Sequence, residues 1–571
     1  MDLRDESIRR CIGALANNIR AENLDYTSFI DIYAGEDNIT NIDNVNNTVI
    51  YGRRGSGKTH LLRALRERMS GNFKERRNFP VYIDLRRIIP LVSSAAGSAD
   101  GEAILIFKYV VQQVSLALAE NVSEIFSLNE FDPANRLAIE VRHNELVEVF
   151  KSIYLEFDGR KFSKPAAALQ ISEEEIKSLG ASANLSANPS LNGKIDFQKK
   201  IAGNSTQDSY ISILDIANKF EELIVSLDLS RITILLDEWS EINSTTQLYL
   251  AEIIKKSFAA IAVTIKIAAI PNRTNLGIKT DEKYIGLEDG GDIQGYPLDM
   301  RYVFEANKTQ TRNFFNDLLY KHLHAINSKV VDKLIKDNKT TSAKLINLFF
   351  ANVALNEILI ASAGIPRDFM SLLITSYDKF LISSKTAAKR ISVSNLRIAH
   401  ISWYETDKKE QIDKHPVERQ LLQEIVAEVI EKKKSIHFLI PSKHAQNKHI
   451  QNLIDFRVMH LRKNGYSHKD HPGASYNVYS IDYGCFNSQN ISKTTLDAST
   501  VSELFSKSLR DIRRISIEDD FFQKFLLNIG EAFSCPHCKR PIDTNHLAYK
   551  KQKLCNNCFE LVDVSKKIED E

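Results

Sequence analysis

The sequence predicts an α/β protein: a parallel sheet carrying a phosphate-binding loop, then an all-helical region, then two small C-terminal modules. Three observations predict this. Residues 48–59 read Thr-Val-Ile-Tyr-Gly52-Arg53-Arg54-Gly55-Ser56-Gly57-Lys58-Thr59, a complete G-x-x-x-x-G-K-[ST] pattern between a short apolar run and a helical pattern. Residues 231–238, Arg-Ile-Thr-Ile-Leu-Leu-Asp237-Glu238, form an apolar run ending in two acids, as expected of a parallel strand covered on both faces. Near the C-terminus, Cys535-Pro-His-Cys538 and Cys555-Asn-Asn-Cys558 form two C-x-x-C pairs separated by 16 residues.

Each element follows in chain order. Residues 1–45 read as an N-terminal helical extension, and 46–305 as the α/β core. In the phosphate loop, glycines let the backbone wrap an anion while the amides point inward at a new helix N-terminus. Lys58 is expected to reach the β- and γ-phosphates of ATP, and Thr59 to place a hydroxyl on Mg²⁺. The expected nucleotide-binding set is Gly52, Arg53, Arg54, Gly55, Ser56, Gly57, Lys58, Thr59 and His60, with Asp237. A second strand is expected at Pro80–Asp84, then helices at about 102–121, 137–154 and 209–228. The Ser-, Asn- and Ala-rich stretch within 157–208 has no helical period and reads as an insertion, either a polar hairpin or a solvated loop.

The acids follow from where ligands sit. Nucleotides bind at the carboxyl ends of parallel strands, so Asp237 is placed to hold Mg²⁺ through water. Glu238 is placed as the general base that polarises the attacking water. The next strand, Ala262–Ile270, ends in Pro271-Asn272-Arg273, with Asn272 the candidate contact to the γ-phosphate or its water and Arg273 the alternate. Residues 306–400 read as a helical lid, in which Gly364-Ile-Pro366-Arg367 starts a helix and puts Arg367 in its first turn.

Residues 410–490 read as a winged helix: helices at Val417–Ile430 and about 447–463, then two β-like runs, Tyr466–His468 and Tyr476–Tyr483. Residues 432–470 hold nine Lys or Arg against two Asp, with five His. Lys443, Lys448, Arg457, Arg462, Lys463 and Lys469 are expected to bind duplex DNA phosphates, and Gln451 and Asn452 to reach base edges. Winged helices also serve as protein-contact modules. A helical linker is expected at 491–529 and a zinc ribbon at 530–571. There Cys535, Cys538, Cys555 and Cys558 would enclose one structural Zn²⁺, supplying folding energy that so small a core lacks. Cys11 and Cys485 stand alone and are expected to be buried or inert.

Together these residues resemble the AAA+ ATPase superfamily, most closely its origin-recognition/initiator clade, over about residues 28–485. The resemblance rests on the Gly52–Thr59 loop, Leu-Leu-Asp237-Glu238, the Asn272 strand end and Gly-Ile-Pro-Arg367. It implies an AAA+ parallel-sheet core with a helical lid and a winged helix. It implies an ATPase whose hydrolysis acts as a switch, and a second-sensor role for Arg367. It further implies copies meeting at the nucleotide, with Arg273 or Arg301 as the inter-subunit arginine. The insertion and the cysteine module depart from that pattern. A nucleotide-gated STAND-like scaffold working through a separate effector protein therefore stands as the alternative.

The 571 residues suffice for several domains, and the net charge of +2 announces no polyanionic partner by itself. No run of 18 or more apolar residues is present, so no membrane partner is expected. The first residues, Met-Asp-Leu-Arg-Asp-Glu, lack an apolar signal core, so the expected location is cytoplasmic.

Overall fold

The computed structural model describes residues 1–19, 28–95, 98–157, 213–280, 283–383, 388–487, 513–543 and 546–562. The expected insertion beyond residue 157 and the first part of the expected linker lie outside them. The chain divides into two compact units, one of residues 17–301 with 317–328, the other of residues 1–16, 302–316 and 329–571.

The first unit is built on a parallel sheet. Its strands are β1 (Thr48–Tyr51), β2 (Asn78–Asp84), β3 (Arg231–Asp237), β4 (Val263–Ala269) and β7 (Gln294–Pro297), in the order β2-β3-β4-β1-β7. Strands β5 (Gly277–Lys279) and β6 (Tyr284–Gly286) form a separate antiparallel hairpin. Side chains alternate between the two faces of a strand. Val49, Ile234, Leu236 and Ile267 therefore pack into one core, with the helices Ala99–Glu120 and Ser244–Phe258. Ile50, Leu235 and Ala268 pack into the other, against Leu61, Leu62 and Leu65 of the helix Lys58–Gly71. Burial on both faces makes β3 and β4 continuous apolar runs. Lys266 is the charged exception in β4. Its buried ammonium donates to Asn46 O at 2.7 Å and to Asn44 Oδ1 and Thr48 Oγ1 at 3.1 Å. Burial lowers its pKa to about 7. The helix Ala99–Glu120 is long and apolar enough to cross a membrane, but two thirds of its apolar window is buried in this core.

The N-terminal extension splits between the units. Helix Glu6–Leu15 packs with the helical region, where Arg4 donates to the carbonyls of Leu381 (3.2 Å) and Phe380 (3.0 Å). Residues 29–42 instead belong to the sheet unit. Cys11 and Cys485 are both buried.

The second unit holds the helix Pro366–Ile382 and a C-terminal module with the helix-and-ribbon order expected of a winged helix. After the helix Pro416–Val426 come β8 (His437–Pro441), the helix Lys448–Asp455, β9 (Met459–Ser467) and β10 (Ser475–Ile481). The three strands form an antiparallel sheet in the order β8-β10-β9. Two expectations are corrected. The helix expected over 447–463 stops at Asp455, because Arg457 turns left-handed (φ 59°) and Met459 and Leu461 pair with Ile481 and Tyr479 of β10. The ribbon is three-stranded, since the short run His437–Pro441 also pairs with β10. Gly465 sits inside β9 at φ 63° beside a register shift. The helix Asp519–Asn528 leads to β11 (Ala532–Ser534) and β12 (Pro541–Asp543) of the cysteine module.

Candidate nucleotide and metal sites

The phosphate loop leaves β1 at the carboxyl edge of the sheet, where Gly52 N donates to Ala269 O of β4 at 3.1 Å. Gly55 and Gly57 have φ of 85° and 92°, a region side chains rarely adopt. At Gly52 an added Cβ would lie 2.4 Å from Ser56 Oγ, so any side chain there would force Ser56 to move. Lys58 reaches back over the loop and donates to Gly52 O (2.6 Å) and Arg53 O (3.2 Å). Buried Ser56 Oγ has no hydrogen-bond partner. An orphaned hydroxyl, a left-handed glycine backbone and a lysine folded back over the loop fit an anion.

Asp237 ends β3, fully buried. It accepts from Tyr82 Oη of β2 at 2.7 Å and from Glu238 N at 2.9 Å. The Thr59 hydroxyl also bonds it, and burial raises its pKa against those bonds. A hydroxyl and a carboxylate side by side are hard oxygen donors suited to Mg²⁺. Glu238 follows at φ 60°, an uncommon backbone for a non-glycine residue. Its pKa is raised by burial and by the Asp237 charge, with Arg86 opposing from 3.5 Å. Such a carboxylate is a stronger proton acceptor than an ordinary one.

Behind these acids lies a network with no motif to announce it. Buried Gln247 accepts from Trp239 Nε1 (3.0 Å) and Asn275 N (2.7 Å), and donates to the carbonyls of Ile242 (2.8 Å) and Arg273 (2.9 Å). Ser240 Oγ accepts from Ile270 N at 2.6 Å. The turn carrying Glu238 is thereby tied to the turn Pro271–Arg273, whose Asn272 is exposed. Three side chains in the expected nucleotide set are engaged within the protein. Arg53 Nε donates to buried Asp299 at 2.5 Å, Arg54 pairs with Glu241 at 2.7 Å, and His60 Nε2 bonds Phe29 O at 2.9 Å. Burial lowers the His60 pKa to about 4, so it is neutral. These three brace the loop from outside. Arg301, a candidate inter-subunit arginine, lies over the Tyr296 ring at 5.3 Å.

A family model described as ORC-CDC6-like matches residues 15–351. The chain belongs to this family. Among solved structures it is similar to the Orc1 protein of Aeropyrum pernix in complex with DNA, at 10% identity and a TM-score of 0.26, covering 84% of this chain and 96% of that one. No curated protein matches it significantly.

In this ORC-CDC6-like chain, Arg367 occupies the first turn of Pro366–Ile382, just after Pro366 and the left-handed Ala363 (φ 51°) and Gly364 (φ 79°). Its neighbour Asp368 is fully buried and paired with Arg457, which also pairs with Asp407 at 2.5 Å. The turn between helix Lys448–Asp455 and β9 is thus bound to the start of the lid helix. Lys408 reinforces it, donating to Arg457 O at 3.0 Å and to buried Asp482 at 2.6 Å.

The four cysteines converge. Cys535 and Cys558 sulfurs lie 3.7 Å apart, and Cys538 and Cys555 sulfurs 3.8 Å. Four sulfurs about 2.3 Å from one tetrahedral Zn²⁺ would lie about 3.8 Å from each other, so the geometry fits that ion. Asn557 N donates to Cys555 Sγ at 3.4 Å, a bond that favours the thiolate form.

The basic stretch departs from expectation. Lys443 and His444 pair with Asp519, and Lys448 and His449 with Glu531. Asn452 donates to Glu418 at 2.7 Å, and Gln451 to the Ala445 carbonyl. Arg462 is buried, donating to Ser480 Oγ (2.7 Å) and Ile360 O (2.9 Å). Arg457 and Arg462, read as phosphate contacts, are internal structural cations. The acids that pair with Lys443 and Lys448 come from distant sequence, which charge counting along the chain cannot reveal.

Proposed function

We propose that this protein is an ATP-dependent DNA-binding protein in which nucleotide state controls assembly and DNA engagement. The observation that carries the reading is the meeting of Lys58, Thr59, Asp237 and Glu238 at one edge of the sheet. Lys58 releases the loop carbonyls and takes the β- and γ-phosphates. Mg²⁺ held by Thr59 and by Asp237 through water would supply charge neutralisation there. Glu238 accepts a proton from the attacking water, and the Gln247 network holds Glu238 and Asn272 in fixed relation. Hydrolysis acts as a switch, with copies meeting at the nucleotide through Arg273 or Arg301. Arg367 senses the γ-phosphate, and the Asp368–Arg457 pair supports passage of lid position to the winged helix. The cysteine module binds one structural Zn²⁺.

The test is the ratio of duplex-DNA affinities with ATP and with ADP. Arg367→Ala should bring that ratio toward one while ATP binding persists. An undiminished ratio would reject the sensor role. The surface pairing of Lys443 and Lys448 with the chain's own acids favours a second reading, a nucleotide-gated scaffold with an effector protein as partner. Ligand-triggered oligomers without DNA binding would select it.

A further inference from the structure

The turn between β9 and β10 brings together three metal-ligand side chains that neither the nucleotide site nor the cysteine module uses. His468 and His471 stand in the run His468-Lys-Asp-His471-Pro-Gly473. Glu518 comes from the segment that returns to this turn. One ligand atom from each of the three lies within 4.8 Å of the other two. The returning segment is fixed against the same sheet: Leu439 N donates to Ile515 O at 2.7 Å, and Ile517 N donates to Leu439 O at 2.8 Å.

His468 is buried, its ring 5.1 Å from that of Tyr476 and 4.6 Å from that of His471. Its Nδ1 accepts from Asp470 N at 3.0 Å, and its Nε2 bonds Ser516 Oγ at 3.2 Å. An ion replaces one of these partners, and the other then holds the ring, as outer bonds do for metal-bound histidines. The Glu518 carboxylate accepts from Tyr476 Oη at 3.2 Å, a bond of the same orienting kind. Glu518 stands at the N-cap of the helix Asp519–Asn528, yet its side chain makes no capping bond, which leaves the carboxylate for a ligand. His471 and Glu518 are exposed, so an ion reaches them from solvent.

The donor set selects the ion. Two imidazoles and one carboxylate suit Zn²⁺ and its first-row neighbours, whereas Ca²⁺ and Mg²⁺ favour oxygen ligands. Bonds of about 2.0–2.2 Å put the donors of a tetrahedral Zn²⁺ about 3.3 Å apart. Rotation of the two exposed side chains toward the fixed His468 closes the distance, and water takes the fourth position. Lys469 and Arg513 add positive charge nearby, where Lys469 N donates to Arg513 O at 3.2 Å, while Arg514 is paired with Asp470 at 3.2 Å. That repulsion makes this a weaker site than four thiolates, filled after them.

We propose that His468, His471 and Glu518 bind one Zn²⁺, separate from the ion of the cysteine module, and that it clamps the turn 468–473 to residues 513–518. The experiment titrates Zn²⁺ by calorimetry into tag-free, full-length protein that already carries one equivalent. A second equivalent should bind, and amide exchange at 468–473 and 513–518 should slow as it does. His471→Ala and Glu518→Gln, both on the surface, should each weaken that event tenfold or more and leave ATP turnover unchanged. Cys555→Ser should keep an ion that His471→Ala removes, which separates this site from the cysteine module. A titration that stops at one equivalent, with that equivalent insensitive to His471→Ala, would overturn the site. So would a second event that survives both surface substitutions.

Discussion

Lys58 and Lys448 are both lysines at the start of a helix, and they are held in opposite ways. Lys58 donates to two neutral backbone carbonyls, which a phosphate replaces without leaving a charge behind, and also feels the carboxylates of Asp237, Glu238 and Asp299. Lys448 donates to the Glu531 carboxylate at 2.6 Å, with His449 on the other oxygen of the same group. A ligand phosphate must compete with that carboxylate on equal terms. The phosphate loop is therefore poised to receive an anion, while the face of helix Lys448–Asp455 already contains one. Where the fold sets its carboxylates therefore decides what a positive charge in the sequence can hold.

Four measurements would break or sharpen this contrast. The largest effect should come from metal removal, because a structural Zn²⁺ in a small module carries roughly 10–16 kcal/mol of folding free energy. A strong chelator, or Cys555→Ser, should unfold residues 532–562, seen as loss of amide protection. ATP turnover should be spared, since the phosphate loop lies in the other compact unit. Protein that contains no zinc by elemental analysis would end that claim.

Glu238→Gln keeps the shape of the site and removes its proton acceptor. Turnover should fall by about 10²–10⁴ while ATP affinity holds. Unchanged turnover in single-cycle kinetics would move the base elsewhere.

Arg457→Ala tests the internal cations directly. It leaves buried Asp368 without its partner, so denaturant unfolding should show a loss of roughly 3–5 kcal/mol. Lys448→Ala, which breaks a more exposed pair, should cost less than about 1 kcal/mol. Equal costs would erase the distinction between internal and surface charge.

The smallest effect is a pH slope. His60 and His322 have pKa values lowered to about 4 and about 3, chiefly by burial, from an ordinary 6.5. The unfolded chain therefore binds protons before the folded one does. Their contribution is complete above about pH 6.5 and is lost as pH falls toward 4 and then 3. Melting followed between pH 7 and 4.5 should show the slope, and His60→Gln should flatten it. An identical slope in that variant would assign the acid sensitivity to other groups.

Much of the nucleotide site is local, and that is why the sequence alone determined it. Gly52 to Thr59 specify their own turn through glycine conformations and a helix start, and the run ending at Asp237 marks a buried strand by composition. The two C-x-x-C pairs likewise announce themselves, because the short spacing within each pair builds its own knuckle. Tertiary structure decided what depends on partners far along the chain. Asp299 holds Arg53 across 246 residues, and Gln247 ties two turns that no spacing rule connects. The end of the helix at Asp455 was set by the pairing of β9 with β10, which overrode an apolar pattern readable as either element. Glu531 lies 83 residues from Lys448, so that lysine's pairing was decided only when the fold brought the carboxylate to it.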